Sequence, residues 1–153
     1  MTRPRKYKEK MSNETRYVAT IGFFDGVHRG HRHLIEQVRT AAAQRSLSSA
    51  VITFPVHPRK VMQSAFQPQL LTSAIEKQQL LAATGIDAVW MMPFTPELSA
   101  LSARSFMQVL RDEYRVAALV IGYDHRFGHN RTEGFDDYVR YGRELDMEVL
   151  PAT

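Results

Sequence analysis

Cysteine is absent from the 153 residues. Disulfides, thiolate nucleophiles and sulfur-ligated zinc are thereby excluded, and the chain suits a reducing cytoplasm. Long apolar runs are missing as well. None approaches the roughly eighteen residues that a membrane span requires, and no signal-peptide core precedes the first apolar segment. No membrane association is expected. Internal repeats and low-complexity tracts do not occur, and tryptophan occurs once. Over most of the chain an excess of charge is lacking too. Of 20 Lys and Arg and 16 Asp and Glu, five basic residues and one acidic residue fall in 1–10 ("MTRPRKYKEK"), which leaves fifteen of each sign in 11–153. The pI near 9.6 therefore reports a basic N-terminal tail on an otherwise neutral chain. Such a tail is expected to be a solvated end, and nucleic acid is not an expected partner.

What is present suffices for a core. At 44% apolar and 24% charged residues, the length suits one domain, expected over 16–153 behind a mobile tail at 1–15. "YVATIG" (17–22), "AVITF" (50–54), "AVWMM" (88–92), "AALVIG" (117–122) and "MEVL" (147–150) have the look of buried strands. Between them, apolar residues recur at helical spacing. Leu34, Ile35, Val38, Ala41 and Ala42 mark one helix beginning near His31. Ser73 and Glu76 suggest a capping box opening a second that closes at Gly85. "FTPELSALS" is expected to be a connecting loop, after which Ser102 caps a helix carrying Phe106, Val109 and Leu110. Phe135, Tyr138, Val139 and Leu145 line the last helix, while Trp90, Met91 and Met92 are expected in the core. Alternating strands and helices predict an α/β fold: a Rossmann-like parallel five-stranded sheet with helices on both faces.

In such a sheet, ligands bind beyond the carboxyl ends of the strands, and polar clusters fall there. "GFFDGVHRGH" (22–31) follows the first strand, "PVHPR" (55–59) the second and the "YDHRFGHNRTEG" loop the fourth. Gly26 and Gly30 allow close backbone approach, and the helix starting near Gly30 offers free N–H groups and a positive dipole end to an anion. His28 and His31 flank that spot and can donate to phosphate oxygens. Charge that grows on those oxygens during reaction would be met by imidazoles near neutrality. Asp25 can hold the Asp-Gly turn. Neither the G-x-x-x-x-G-K-[ST] loop nor the G-x-G-x-x-G fingerprint is present. No cluster has the spacing of a protein-only metal site.

The string His28-Arg29-Gly30-His31, between strand and helix, resembles the H-x-G-H signature of the nucleotidyltransferase superfamily. In order, "TIGFFDGVHRGH", "TFPVHPR", "LLTSAIEKQQLLAATGIDAV", "FTPELSALSARSF" and "VIGYDHRFGHNRTEG" resemble the FMN adenylyltransferase module of bacterial bifunctional FAD synthetase (riboflavin kinase/FMN adenylyltransferase), over roughly residues 17–151. The resemblance implies transfer of AMP from ATP to FMN, giving FAD and pyrophosphate, with Mg²⁺ on the phosphates. It implies His28 and His31 as catalytic contacts to the ATP phosphates, with Gly22, Phe24, Asp25 and Gly30 completing the ATP site. His57, Arg59, Asp124, Arg126 and Phe127 would border nucleotide or flavin. The chain departs from the family at Phe23, where Asn is common, at His125, where Phe is common, and at Val56 in place of a proline. A Ser-Ser-Thr-Arg-like motif and a riboflavin kinase domain, which follow in the family, are not found in these residues, so the domain is expected to be truncated before its last motif.

The implied chemistry is in-line attack of the FMN phosphate on the α-phosphorus of ATP. That nucleophile is already ionised, so positioning and charge neutralisation supply the acceleration without a general base. Two alternatives use the same residues. One is an H-x-G-H nucleotidyltransferase with another acceptor, against which Gly26 and the 122–128 segment weigh. The other is a catalytically silent nucleotide- or RNA-binding domain using the basic tail.

Overall fold

Short runs of small and β-branched apolar residues pair here into one sheet, and the helices between them cover both of its faces. The computed structural model describes residues 15–24, 29–54, 68–122, 125–128 and 132–153, with backbone alone for 29–30 and 68–74. In chain order the elements are β1 (Tyr17–Ile21), α1 (Arg29–Gln44), β2 (Ser48–Thr53), α2 (Pro68–Ala82), β3 (Ala88–Met91), α3 (Pro96–Ser99), α4 (Ala103–Tyr114), β4 (Val116–Ile121), α5 (Phe135–Leu145) and β5 (Glu148–Pro151). The strand order is β3-β2-β1-β4-β5, and every pairing is parallel. Ala19 at the centre lies beside Ala50 on one side and Leu119 on the other. The five-stranded parallel α/β architecture expected from the sequence is the one observed.

Residue alternation along β1 divides the interior. Tyr17, Ala19 and Ile21 share a core with Phe106, Met107 and Leu110 of α4 and Phe135 and Tyr138 of α5. Val18 joins Val51, Val120, Ile35 and Val38 of α1, and Leu81 of α2, on the opposite face. Each fully buried side chain of this kind contributes about 1.5–3 kcal/mol relative to exposure, which is what docks helices that would be marginal alone. Trp90, 1% exposed, packs edge-on against Tyr17 with centroids 5.3 Å apart and lies 4.9 Å from the Tyr114 ring. It therefore belongs to the core, as does Met92, while Met91 is half-buried.

Caps decide several boundaries. The Ser102 hydroxyl accepts the Ser105 amide at 3.1 Å, so α4 opens where the sequence indicates. Two expectations are corrected. "FTPELSALS" contains a helical turn, α3, whose Thr95 hydroxyl accepts the Leu98 amide at 3.1 Å with Pro96 at the first helical position. That pairing of a Thr cap with a following Pro is a strong helix start. The second helix begins at Pro68, so Ser73 and Glu76 lie inside it rather than at its opening. Its far end is as expected, with Gly85 left-handed at φ +90° just beyond Ala82. Strand and helix ends otherwise differ from the sequence reading by one or two residues, and α1 begins at Arg29.

Candidate functional site

The strand order reverses between β1 and β4. From β1 the chain enters α1, which packs on one face, whereas the chain after β4 leads to α5 on the other. The divergence opens a crevice at their carboxyl ends. A cavity of about 380 Å³ occupies it, a size typical of small-molecule sites. The first four strands each send a phenylalanine to its wall soon after they end: Phe23, Phe54, Phe94 and Phe127. Phe106 of α4 is a fifth, so five of the chain's eight phenylalanines line this one space. Their rings form two groups. Phe54 lies 5.2 Å from Phe23 and 5.6 Å from Phe94. Phe127 lies 5.5 Å from Phe106 and is stacked on Tyr138 at 4.1 Å. Walls of this kind suit a flat aromatic ligand.

Backbone bonds fix the strand exits. The Gly22 amide donates to Ile52 O at 3.1 Å, the Thr53 hydroxyl donates to Phe23 O at 3.0 Å, and the Met92 amide donates to Thr53 O at 2.8 Å. Buried Lys77 of α2 donates from Nζ to Phe54 O at 3.1 Å. A Cβ on Gly22 would stand 3.1 Å from the ring of Phe24, so glycine there admits that ring. Phe24 has φ +52°, in the region non-glycine residues seldom adopt. The turn sends Phe23 to the cavity and Phe24 into the core beneath α1.

Beyond β4, the stretch from His125 to Gly128 forms the remaining wall. Tyr138, fully buried on α5, accepts the Phe127 amide at 3.0 Å and donates to Glu133 O at 2.9 Å. Burial pushes its hydroxyl above the usual tyrosine range, partly offset by the Phe127 bond, so it stays protonated. Arg126 is exposed and donates to His125 O at 3.0 Å. Its guanidinium and that of Arg140 help hold the Asp137 carboxyl low, although the Gly134 amide that Asp137 accepts is the larger cause. Arg126 and His125 are the titratable groups among the described lining residues, and no carboxylate is among them. The cavity therefore joins aromatic walls to a basic edge, complementary to a planar ring carrying an anionic group.

Of the residues singled out from the sequence, Gly22, Arg126 and Phe127 line this cavity. Phe24 is a core residue, 4% exposed. His31 stands in the first turn of α1 with its ring edge-on to Phe24, centroids 5.0 Å apart, and is not among the cavity's described walls. Gly30 lies in the same turn. Asp25, His28, His57, Arg59 and Asp124 lie outside the described residues. Phe23, Phe54, Phe94 and Phe106 were not singled out as site residues. For the first three the signal was the recurrence of an aromatic within three residues of a strand's end, which reads as core when taken one residue at a time. Phe106, on the apolar face of α4, carried none. Among the described residues no group of three or more His, Asp or Glu could hold a metal ion, and no helix is long and apolar enough to cross a membrane.

A family model described as FAD synthetase matches residues 10–152. A bifunctional riboflavin kinase/FMN adenylyltransferase of Listeria monocytogenes is 34% identical over 125 residues, covering 81% of this chain and 40% of the relative. One from Escherichia coli is 35% identical over 133 residues, with 86% and 42% covered. One from Pseudomonas fluorescens is 37% identical over 121 residues, with 78% and 38% covered. The chain thus spans about two fifths of the length of these curated relatives. A crystal structure described as a macrolide-efflux protein from Streptococcus pneumoniae superposes with a TM-score of 0.75 at 24% identity, over 94% of this chain and 48% of that one. That likeness supports the fold.

Proposed function

This chain belongs to the FAD synthetase family, and from that premise we propose that it carries the adenylyl-transfer half-site that makes FAD from FMN and ATP. The observation that carries the reading is the cavity at the β1/β4 reversal, aromatic on its walls and basic at its edge. A tricyclic flavin ring matches the phenylalanine walls, and its phosphate matches the side of the site where α1 begins. The first turn of that helix, at Arg29 and Gly30, presents unsatisfied N–H groups beside the end of β1, the natural place for phosphates.

On this reading His28 and His31 contact the ATP phosphates and stabilise charge that builds as pyrophosphate leaves. Asp25 and Gly22 border the nucleotide, while His57, Arg59, Asp124 and Arg126 border nucleotide or flavin. The FMN phosphate attacks the α-phosphorus in line, and the protein's contribution is alignment and charge compensation. No carboxylate is among the described cavity-lining residues, so Mg²⁺ would arrive as a companion of the triphosphate, held by the nucleotide's own oxygens. When bound there it would neutralise phosphate charge while keeping several waters. The relatives' names pair this activity with riboflavin kinase, and we assign this chain to the adenylyltransferase half of such a protein, working in the cytoplasm.

Incubating the chain with ATP, Mg²⁺ and FMN and chromatographing the mixture should reveal FAD and pyrophosphate. Their absence, both here and in a chain extended through the rest of a relative's length, would overturn the assignment. His28→Ala should lower FAD formation by on the order of a hundred- to a thousandfold and shift ATP affinity by only a few-fold. Equal losses in both would mean that the imidazole serves ground-state binding instead.

A further inference from the structure

We propose that Tyr138 is a positioning residue for the flavin ring, its hydroxyl holding the wall of the cavity that Phe127 forms. The inference rests on the flavin reading above and adds a residue that has no contact with the cavity itself. Phe127 lies beyond the last residue of β4, Ile121, so something other than that strand must fix its ring. Tyr138 does so in two ways. Its hydroxyl takes the Phe127 amide at 3.0 Å and gives its proton to Glu133 O at 2.9 Å, joining two points six positions apart in sequence. Its ring lies almost parallel to the Phe127 ring, 14° between planes at 4.1 Å. The Phe127 ring also meets Phe106, 5.5 Å away and tilted by 50°. Phe127 thus packs against side chains from two helices, with its amide and its plane both held by one tyrosine.

Phenylalanine at 138 would satisfy the core nearly as well by volume and keep the stacked ring. Only the hydroxyl distinguishes a buried tyrosine, and a buried hydroxyl is costly unless paired. Here it is paired entirely with main-chain groups of the segment that bears the cavity wall. Alignment of a flat ligand against Phe127 depends on where that wall stands, and displacement by a fraction of an ångström would weaken stacking. ATP, bound toward α1, would not sense it.

Tyr138→Phe keeps the stacked ring and removes the hydroxyl. FMN quenching titrations should give a dissociation constant about tenfold weaker, the size of one net hydrogen bond, with ATP affinity changed less than twofold. The KM for FMN should rise more than kcat falls. Amide exchange at Phe127 should speed up by a similar factor. Phe127→Leu, which preserves both main-chain bonds but not the stack, should also weaken FMN while leaving the Phe127-position amide protected. Unchanged FMN affinity in Tyr138→Phe, parallel losses for FMN and ATP, or unchanged exchange at Phe127 would overturn the proposal. If the native chain fails to quench FMN at all, the flavin reading itself falls, and the exchange measurement alone then decides whether the hydroxyl holds the wall.

Discussion

A Cβ added at Gly128 would lie 2.6 Å from the Ala103 nitrogen and 2.7 Å from its Cα, and φ there is +86°. Both the backbone conformation and the contact with the start of α4 thus require glycine. Gly128→Ala should destabilise the chain by about 2–4 kcal/mol, combining left-handed strain with overpacking. The shift would appear as a lower denaturant midpoint with an unchanged slope. The substitution should also weaken FMN binding, because Gly128 is part of the cavity wall. At this scale the sequence discloses glycines and histidines at strand ends, since their chemistry is unusual in those places. It does not disclose that Phe23 and Phe24 face opposite ways, because adjacent identical side chains carry no sign of which is core and which is wall. The hydroxyl of Tyr138 was equally hidden: helical spacing marks the residue as apolar-facing, and its partners are backbone groups of the preceding loop, which carry no sequence signal.

The elements past β4 rest partly on carboxylates. Asp137, accepting the Gly134 amide, and Glu148, accepting from Arg45 at 2.8 and 3.1 Å, are both held below the ordinary carboxylate range. A depressed folded-state value means stability that is fully present above the unfolded-state pKa near 4 and is lost as pH falls through the folded value. The melting temperature should therefore be flat from neutrality to about pH 5 and decline below it, the decline being shallower in Asp137→Asn. Added salt should weaken the exposed Arg45–Glu148 pair more than the Gly134–Asp137 cap. Elements of regular periodicity were legible in the sequence, and α4 and α5 appear where apolar spacing places them. The turn of α3 was not, because four residues are too few to display a period. Only the Thr95-Pro96 cap could have revealed it. The start of α2 was misplaced because Ser73 and Glu76 match a capping pattern that also occurs inside helices.

For the whole molecule, the two cores share one sheet, and the cavity is assembled from the ends of four of its strands together with α3 and α4. A ligand seated there touches every layer but the one beneath α1. Saturating FMN should therefore protect the entire domain: at a hundred times its dissociation constant, mass action contributes about 2.7 kcal/mol. That corresponds to roughly 5–10 °C in the midpoint of a single cooperative transition. A calorimetric scan with and without FMN checks this, and a shift confined to one of two resolved transitions would contradict it. Fold class was the most legible property, since buried parallel strands alternating with amphipathic helices admit few arrangements. The cavity's shape was the least, because it depends on how four strand exits converge.

Phe23 and Phe24 are covalent neighbours yet belong to opposite sides of the sheet. One peptide unit therefore joins the wall of the aromatic chamber to the buried ring whose centroid lies 5.0 Å from that of the first-turn imidazole of His31. The backbone conformation of this dipeptide thus sets both the chamber's wall and the surface on which α1 begins.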